Sequence, residues 1–371
     1  MEFIHELPTW PNLNWDEAKI SPLVANVCRQ QGVLIGRMST YGFSARQEAM
    51  LKALTEETVK SSAIEGEVLN ADAVRSSIAR RLKLHVAGVS QKPDRNVDRV
   101  VAMMIDATSH YENPLTADRL FQWHTDLFPG VRSSTDAFPG GAWRDDKEGP
   151  MQVISGAVGR EKVHYEAPAA EKIEGEIARF LAWFNETTDE EWVLRAGVAH
   201  FWFVTIHPFA DGNGRITRAI TEMALARSDQ RSQRFYSMSS QILEERATYY
   251  QMLEQTQRGT TDITGWLSWF LECLGRAIAK AGSLTEGALE QEKFWRAIDA
   301  RGITLNERQR KMLKKMLGGL KGNVTTSKWS DIVDCSQRTA YTDIEALVKA
   351  GILKDNEAGG RSTSYSLADI A

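Results

Sequence analysis

The chain has 371 residues, enough for two or three domains with sizeable cores. Hydrophobic residues make up 42% and charged residues 25%, an ordinary globular composition. The net charge of −4 argues against a protein that as a whole binds polyanions.

Cys28, Cys273 and Cys335 lie far apart with no CxxC pair, which indicates neither a disulfide framework nor a zinc site. The opening "MEFIHELPTW" has neither the basic nor the apolar region of a signal peptide. No run approaches the roughly 18 apolar residues of a membrane span. We therefore expect a cytoplasmic protein with no membrane partner.

The predicted elements are mostly helices, so the expected fold class is all-α. "SPLVANVCRQQGVLIGRM" predicts a helix with Ser21 as N-cap and Pro22 at its first position. "SARQEAMLKALTEETVKSSAIEG" predicts a second, from a Ser44 cap to a glycine stop at Gly66. Asn70 caps a third, and helical patterns follow near 96–111 and 116–128. The pattern then changes between Pro139 and Pro168. Two short extended runs, Met151–Ser155 and Lys162–Tyr165, flank a turn and predict a β-hairpin. Such a hairpin needs another surface for stability. Helical patterning resumes from about Ala169 to about Ala281. A softer stretch, "KAGSLTEGALEQEK", then leads to a basic tail, with the boundary between 282 and 300.

Within the long helical region, "EWVLRAGVAHFWFVTI" reads as a buried helix. "HPFADGNGRITR", residues 207–218, follows it directly. Pro208 pushes His207 out of the α region, so the helix should end there, with Phe209 plugging back into the core. Gly212 and Gly214 then sit at the N-terminus of the next helix, where unpaired amides and the helix dipole favour an anion. Arg215 and Arg218 are one turn apart on that helix and project from nearly the same face. Two guanidinium forks there suit a polyphosphate. Asp211 is placed to hold a divalent metal, and His207 is the residue able to take a proton near neutral pH. This constellation points to phosphoryl-type transfer from a magnesium nucleotide.

"HPFADGNGRITR" resembles, at every defined position, the Fic-domain signature HxFx(D/E)GNGRxxR. The resemblance implies a Fic-type helical core that transfers AMP from ATP to a Ser, Thr or Tyr hydroxyl of a protein, including itself. It implies that His207 deprotonates the hydroxyl, that Asp211 holds Mg²⁺, and that Phe209 anchors the loop. Gly212, Asn213, Gly214 and Arg215 would bind the α- and β-phosphates and Arg218 the γ-phosphate. The hairpin at 151–167 resembles the Fic flap, which pins a target segment as an added strand. "YSMSSQILEERATYY" resembles the segment whose tyrosines, here Tyr249 and Tyr250, border the adenine; core or surface packing is the other reading of that pair. "SSAIEG" at 61–66 resembles the inhibitory motif (S/T)xxxE(G/N), with Ser61, Glu65 and Gly66 at its fixed positions. By this resemblance Glu65 pairs with Arg218 in place of the γ-phosphate.

From Arg301 onward the chain carries 12 Lys/Arg against 8 Asp/Glu, a net of +4. Three helices and a two-stranded wing are expected there, resembling a winged helix-turn-helix. Ser336 would cap a recognition helix presenting Gln337, Arg338, Thr339 and Tyr341 to a DNA groove, with Arg361 on the wing. Such modules also bind proteins, and the basicity is thin for DNA. The expected organisation is an N-terminal helical region at 1–90 with the inhibitory helix, a Fic core at 91–285, and a winged helix at 300–371. The expected function is an autoinhibited protein adenylyltransferase acting on an unidentified target, with homodimerisation and DNA as further partners. The alternatives are a Fic enzyme that removes AMP or transfers another group, and a DNA-binding regulator.

Overall fold

The computed structural model describes residues 3–84, 94–128, 141–147, 149–156, 160, 162–188, 190–320, 322–356 and 363–370. It is mainly helical, as expected, and divides into two compact units, residues 1–281 and 282–371. No described helix is long and apolar enough to cross a membrane.

The first unit opens with α1 (Glu17–Ser39), α2 (Phe43–Ile64), α3 (Ala71–Arg81), α4 (Arg95–Ser109) and α5 (Ala117–Leu127). An antiparallel hairpin follows, β1 (Gln152–Ser155) and β2 (Lys162–Glu166), paired from Gln152↔Glu166 to Ser155↔Lys162. Then come α6 (Ile173–Asn185), α7 (Trp192–Ile206), α8 (Asn213–Asp229), α9 (Met238–Glu244), α10 (Arg246–Gln257) and α11 (Thr264–Ala300).

At the centre, α7 packs along α8, and α1, α4, α5 and α6 gather around the pair. Every residue of α7 from Val193 to Ile206 is buried, as an all-round apolar helix requires. Each large apolar side chain fully buried there contributes about 1.5–3 kcal/mol relative to exposure. Residues 3–84 pack in this same body. The N-terminal arm is stitched to it by Asn14, which exchanges backbone hydrogen bonds with Thr261 and Ile263.

Three local expectations shift. Asp16, not Ser21, caps α1, because its carboxylate accepts from the amides of Ala18 and Lys19. Ser21 lies inside the helix and donates to Glu17 at 2.7 Å. Gly42, not Ser44, precedes α2; it takes the extended entry conformation with ψ 157°. The stretch expected to be soft, 280–293, is continuous helix within α11. By contrast, the Asn70 cap and the Gly66 stop stand where the sequence placed them.

Helix α2 is tied down at two points. Glu57, buried in its middle, accepts from the Ser239 amide at 2.9 Å and the Ser237 hydroxyl at 2.8 Å. It thereby serves the N-terminus of α9, where a carboxylate is favoured. The second tie is at its C-terminus, in the site described below.

The second unit holds residues 282–300 of α11, then α12 (Glu307–Leu317), α13 (Thr326–Val333), α14 (Gln337–Lys349), β3 (Leu353–Asn356) and β4 (Ser364–Leu367). Its core includes Phe294, Ile298, Trp329, Ile344 and Leu347, so it starts earlier than residue 300. Strands β3 and β4 pair antiparallel, with Leu353 opposite Leu367. Ser336 caps α14, accepting from Thr339. Gln337, Arg338 and Tyr341 are exposed on its first turns, and Thr339 is half-buried. Arg361 and most of the expected hairpin turn at 156–161 lie outside the described residues.

Two glycines separate packing from propensity. A Cβ on Gly197 of α7 would stand 2.9 Å from the Phe270 ring, whereas one on Gly175 of α6 would meet nothing within 4 Å. Gly197→Val should therefore lower stability by about 1–3 kcal/mol through overpacking. Gly175→Ala should raise it by about 0.5–1 kcal/mol. Urea unfolding of both variants checks the contrast.

Candidate active site

The site grows out of the turn between α7 and α8. His207 ends α7 in the left-handed region (φ 51°, ψ 57°), which a non-glycine residue seldom adopts. Its backbone amide still donates to the Phe203 carbonyl at 3.1 Å. Arg144 holds the turn from outside: its Nε donates to the His207 carbonyl at 2.9 Å and its amide to the Pro208 carbonyl at 3.0 Å. It also bonds the Pro168 carbonyl, just beyond β2. From within, Phe209 is fully buried and stacks on His124, with ring centroids 4.3 Å apart. Asn213 closes the loop, its Oδ1 accepting from the Phe209 amide at 2.9 Å and its Nδ2 donating to the Phe209 carbonyl at 2.7 Å. Its side chain is thus committed to the loop, and what it offers a ligand is its backbone amide.

Gly212 precedes α8 with φ 81°, a conformation glycine adopts without strain. The first amides of α8 have no intrahelical acceptor, and they face the C-terminus of α2. There Glu65 sits over Gly214 so closely that a Cβ on that glycine would stand 2.1 Å from Glu65 Oε1. Glu65 Oε1 is 2.9 Å from Arg218 Nη1. Arg218, only 2% exposed, also donates from Nε to the Ser61 hydroxyl and from Nη2 to the Ser61 carbonyl, both at 2.8 Å. Burial works against this charge, but Glu65 and the neighbouring tyrosines outweigh it, and the net effect raises the Arg218 pKa. The structure thus brings Ser61 and Glu65 together on Arg218.

Glu65 borders a cavity of ≈ 1020 Å³ that is also lined by His207, Ala210–Gly214, both hairpin strands and α10. The two motif arginines do not line it; Glu65 stands in front of Arg218. Asp211 does, with its side chain 68% exposed and one oxygen accepting from the Gly212 amide at 2.5 Å. No cluster of three or more His, Cys, Asp or Glu able to hold a metal occurs among the described residues. Asp211 could contribute one carboxylate to a divalent ion.

The two tyrosines separate. Tyr250 is 38% exposed and lines the cavity. Tyr249 also borders it, but is buried, and its hydroxyl is 3.0 Å from His200 Nε2 amid Trp266 and Trp269. The hairpin does lie over another surface, that of α10. His164 Nδ1 meets Glu254 Oε2 at 2.6 Å and its Nε2 meets the Ser155 hydroxyl at 2.5 Å. Arg258 donates to the Val163 and His164 carbonyls.

Sequence reasoning missed Arg144, Glu67 and this latch. Arg144 has one local partner, Asp146 at 2.7 Å, but nothing in "WRDD" points to the distant carbonyls of His207, Pro208 and Pro168 that it also reaches. Glu67 meets Arg215 Nη1 at 2.7 Å. A second acid two residues past Glu65, close beside a glycine stop, was the available signal for it.

Residues 114–225 match the Fic/DOC family model, and residues 3–84 match a domain of unknown function (DUF4172). The protein adenylyltransferase Fic of Nematostella vectensis is 30% identical over 138 residues, covering 36% of this chain and 30% of that protein. Its counterpart in Drosophila mojavensis is 23% identical over 240 residues, 63% of this chain and 42% of that protein. The matches thus span less than half the length of these relatives. A Fic family protein from Desulfovibrio desulfuricans shares the fold over 94% of this chain and 96% of its own, with TM-score 0.53 and 19% identity. A Fic domain containing signaling protein from Bacteroides thetaiotaomicron does so over 70% of this chain and 97% of its own, with TM-score 0.50 and 18% identity.

His207 is partly buried and opens onto the cavity, and desolvation by the surrounding protein lowers its pKa to about 4. The bond to the Val204 carbonyl and the nearby Glu65 and Asp211 charges oppose the shift only in part, while Arg144 adds to it. The ring should therefore be neutral from physiological pH down to about 4 and become charged below it. An NMR titration of the His207 ring checks this, with an expected midpoint near 4 rather than the usual 6.5.

Proposed function

Because residues 114–225 form a Fic/DOC-family domain, we propose that the chain is a protein adenylyltransferase, moving AMP from ATP to a Ser, Thr or Tyr hydroxyl of a protein, itself included. The observation that carries this reading is the set of groups at one helix N-terminus. Free amides and two motif arginines, each held by a carboxylate from the C-terminal end of α2, stand beside a histidine on a cavity large enough for a nucleotide. Carboxylates on both guanidinium groups mark them as an anion seat.

In this mechanism the His207 Nδ1–H donates to the Val204 carbonyl at 3.2 Å, which leaves Nε2 as the acceptor. Nε2 takes the proton of the target hydroxyl as its oxygen attacks the α-phosphorus, and pyrophosphate leaves. The lowered pKa keeps the ring able to accept that proton. The amides of Asn213, Gly214 and Arg215, with the Arg215 guanidinium, hold the inner phosphates, and Arg218 holds the outermost one. Magnesium, resting on Asp211 and the phosphates, would neutralise charge on the nucleotide and its leaving group. Tyr250 and the hairpin border the nucleoside and the incoming target segment. The activity belongs in the cytoplasm, where ATP is abundant.

Glu65 makes the resting enzyme weak. Its carboxylate occupies the γ-phosphate's place on Arg218, so bound ATP is displaced from the geometry of in-line attack. A misplacement of about 1 Å costs on the order of a hundredfold in rate. Incubated with Mg²⁺ and ATP, wild type should gain little AMP-sized mass and Glu65→Gly much more. His207→Ala in the Glu65→Gly background should lose about 10²–10⁴ in rate. Intact-protein mass spectrometry reads both. Undiminished labelling without His207 would sink the mechanism.

A second reading concerns residues 282–371 alone. Exposed Gln337, Arg338 and Tyr341 on the capped start of α14 favour a winged-helix contact with a DNA groove. As a homodimer the chain would present two such helices to one duplex. Binding to random duplex DNA should weaken with salt and fall further in Arg338→Glu. Binding unchanged by both would discard this contact.

A further inference from the structure

Glu67 has no task in the chemistry above, yet its position is tightly determined. Past α2, Gly66 adopts φ 86°, its amide donates to the Ala63 carbonyl at 3.1 Å, and the Glu67 amide donates to the Ser62 carbonyl at 3.0 Å. This pair of bonds is a Schellman ending, in which the residue at the Glu67 position usually folds an apolar side chain back on its own helix. Here that position carries a carboxylate, which reaches across to α8 and meets Arg215 Nη1 at 2.7 Å.

Arg215 is otherwise poorly matched. Its side chain is only 10% exposed, its guanidinium lies over the Phe128 ring at 5.1 Å, and its buried Nε has no hydrogen-bond partner among the described residues. Among the described residues, the other acid beside it is Asp211, 4.0 Å away. On Arg218, likewise, Nη1 lies near Glu65 but off the line of a hydrogen bond. Buried donors left unmatched beside a helix N-terminus favour an anion with more oxygens than one carboxylate.

We propose that Glu67 is a second stopper: it holds Arg215 as Glu65 holds Arg218, and the two carboxylates divide control of the nucleotide by its number of phosphates. This rests on the nucleotide reading above. Arg215 lies one helical turn closer to the free amides than Arg218 does. The inner phosphates, bound at those amides, therefore displace Glu67, and the outermost displaces Glu65. A nucleoside diphosphate competes with Glu67 alone, and a triphosphate competes with both. Glu67 thus sets the affinity for inner phosphates, a property that releasing Glu65 leaves untouched. Because the Glu67 side chain is 42% exposed against 33% for Glu65, water screens it more and its hold is the weaker of the two.

The test is equilibrium binding of ADP and of ATP to the full chain, measured by calorimetry on wild type, Glu65→Gly, Glu67→Gln and the double variant. Glu67→Gln keeps the side-chain length and both backbone bonds, and should tighten ADP about three- to tenfold. Glu65→Gly should tighten ATP while leaving ADP nearly unchanged, and the double variant should bind ATP more tightly than either. If Glu67→Gln changes neither nucleotide while Glu65→Gly still tightens ATP, the second stopper is overturned and the nucleotide reading stands. Equal tightening of ADP by both single changes overturns the division by phosphate number. Absence of binding in all four proteins overturns both readings. Glu67→Asp, too short to hold the same contact, should act in the same direction as Glu67→Gln and guards against a folding defect peculiar to that variant.

Discussion

A guanidinium withdrawn from water must be surrounded by acceptors, because an unpaired buried charge costs several kcal/mol. Arg218 is in that position, and its partners come from another helix: the Ser61 hydroxyl and carbonyl accept its hydrogen bonds, and the Glu65 carboxylate supplies the opposite charge. The end of α2 is therefore bound to α8 by the requirement to satisfy one cation. Glu57, further back on α2, ties the same helix to α9. With both ends of that arrangement fixed, the carboxylates at 65 and 67 cannot drift far from the N-terminus of α8.

The electrostatics of the two helix ends are complementary. An acid in the last turn of a helix is slightly unfavourable, by a few tenths to about 1 kcal/mol. Glu65 and Glu67 carry that cost at the end of α2, where the positive end of α8 and its two arginines offset it. The helix N-terminus is then filled by the protein's own carboxylates. In the proposed reading, the seat for an external anion and the carboxylates that close it are one structure, and activation would take only a modest displacement of α2's last turn.

On the other side of the cavity the constraint is backbone geometry. A histidine at φ 51° followed directly by proline is strained, and three independent restraints hold it. Arg144 takes two carbonyls from outside, Phe209 fills the core beneath, and Asn213 bonds both polar groups of Phe209. The result is a ring with one nitrogen committed to the Val204 carbonyl. Its burial, which depresses its basicity, is a consequence of the same packing.

Much of this was legible in the residues. The apolar run of α7, the proline stop, the glycines opening α8 and the arginines one turn apart are local features whose physics operates within a few residues, and "SSAIEG" shows its glycine stop in the same way. Capping was legible only where one candidate existed: Asn70 and Ser336 stand as caps, whereas Asp16 displaced Ser21 because it begins the helix earlier. What the chain alone determined, then, is which residue types meet in each turn and helix end. Tertiary structure decided the rest: that Glu67 faces Arg215, that Arg144 braces a turn 63 residues away, and that Tyr249 sits in the core while Tyr250 faces the cavity. Those outcomes depend on desolvation and on distances between segments remote in sequence, and such energies exist only after the helices have packed.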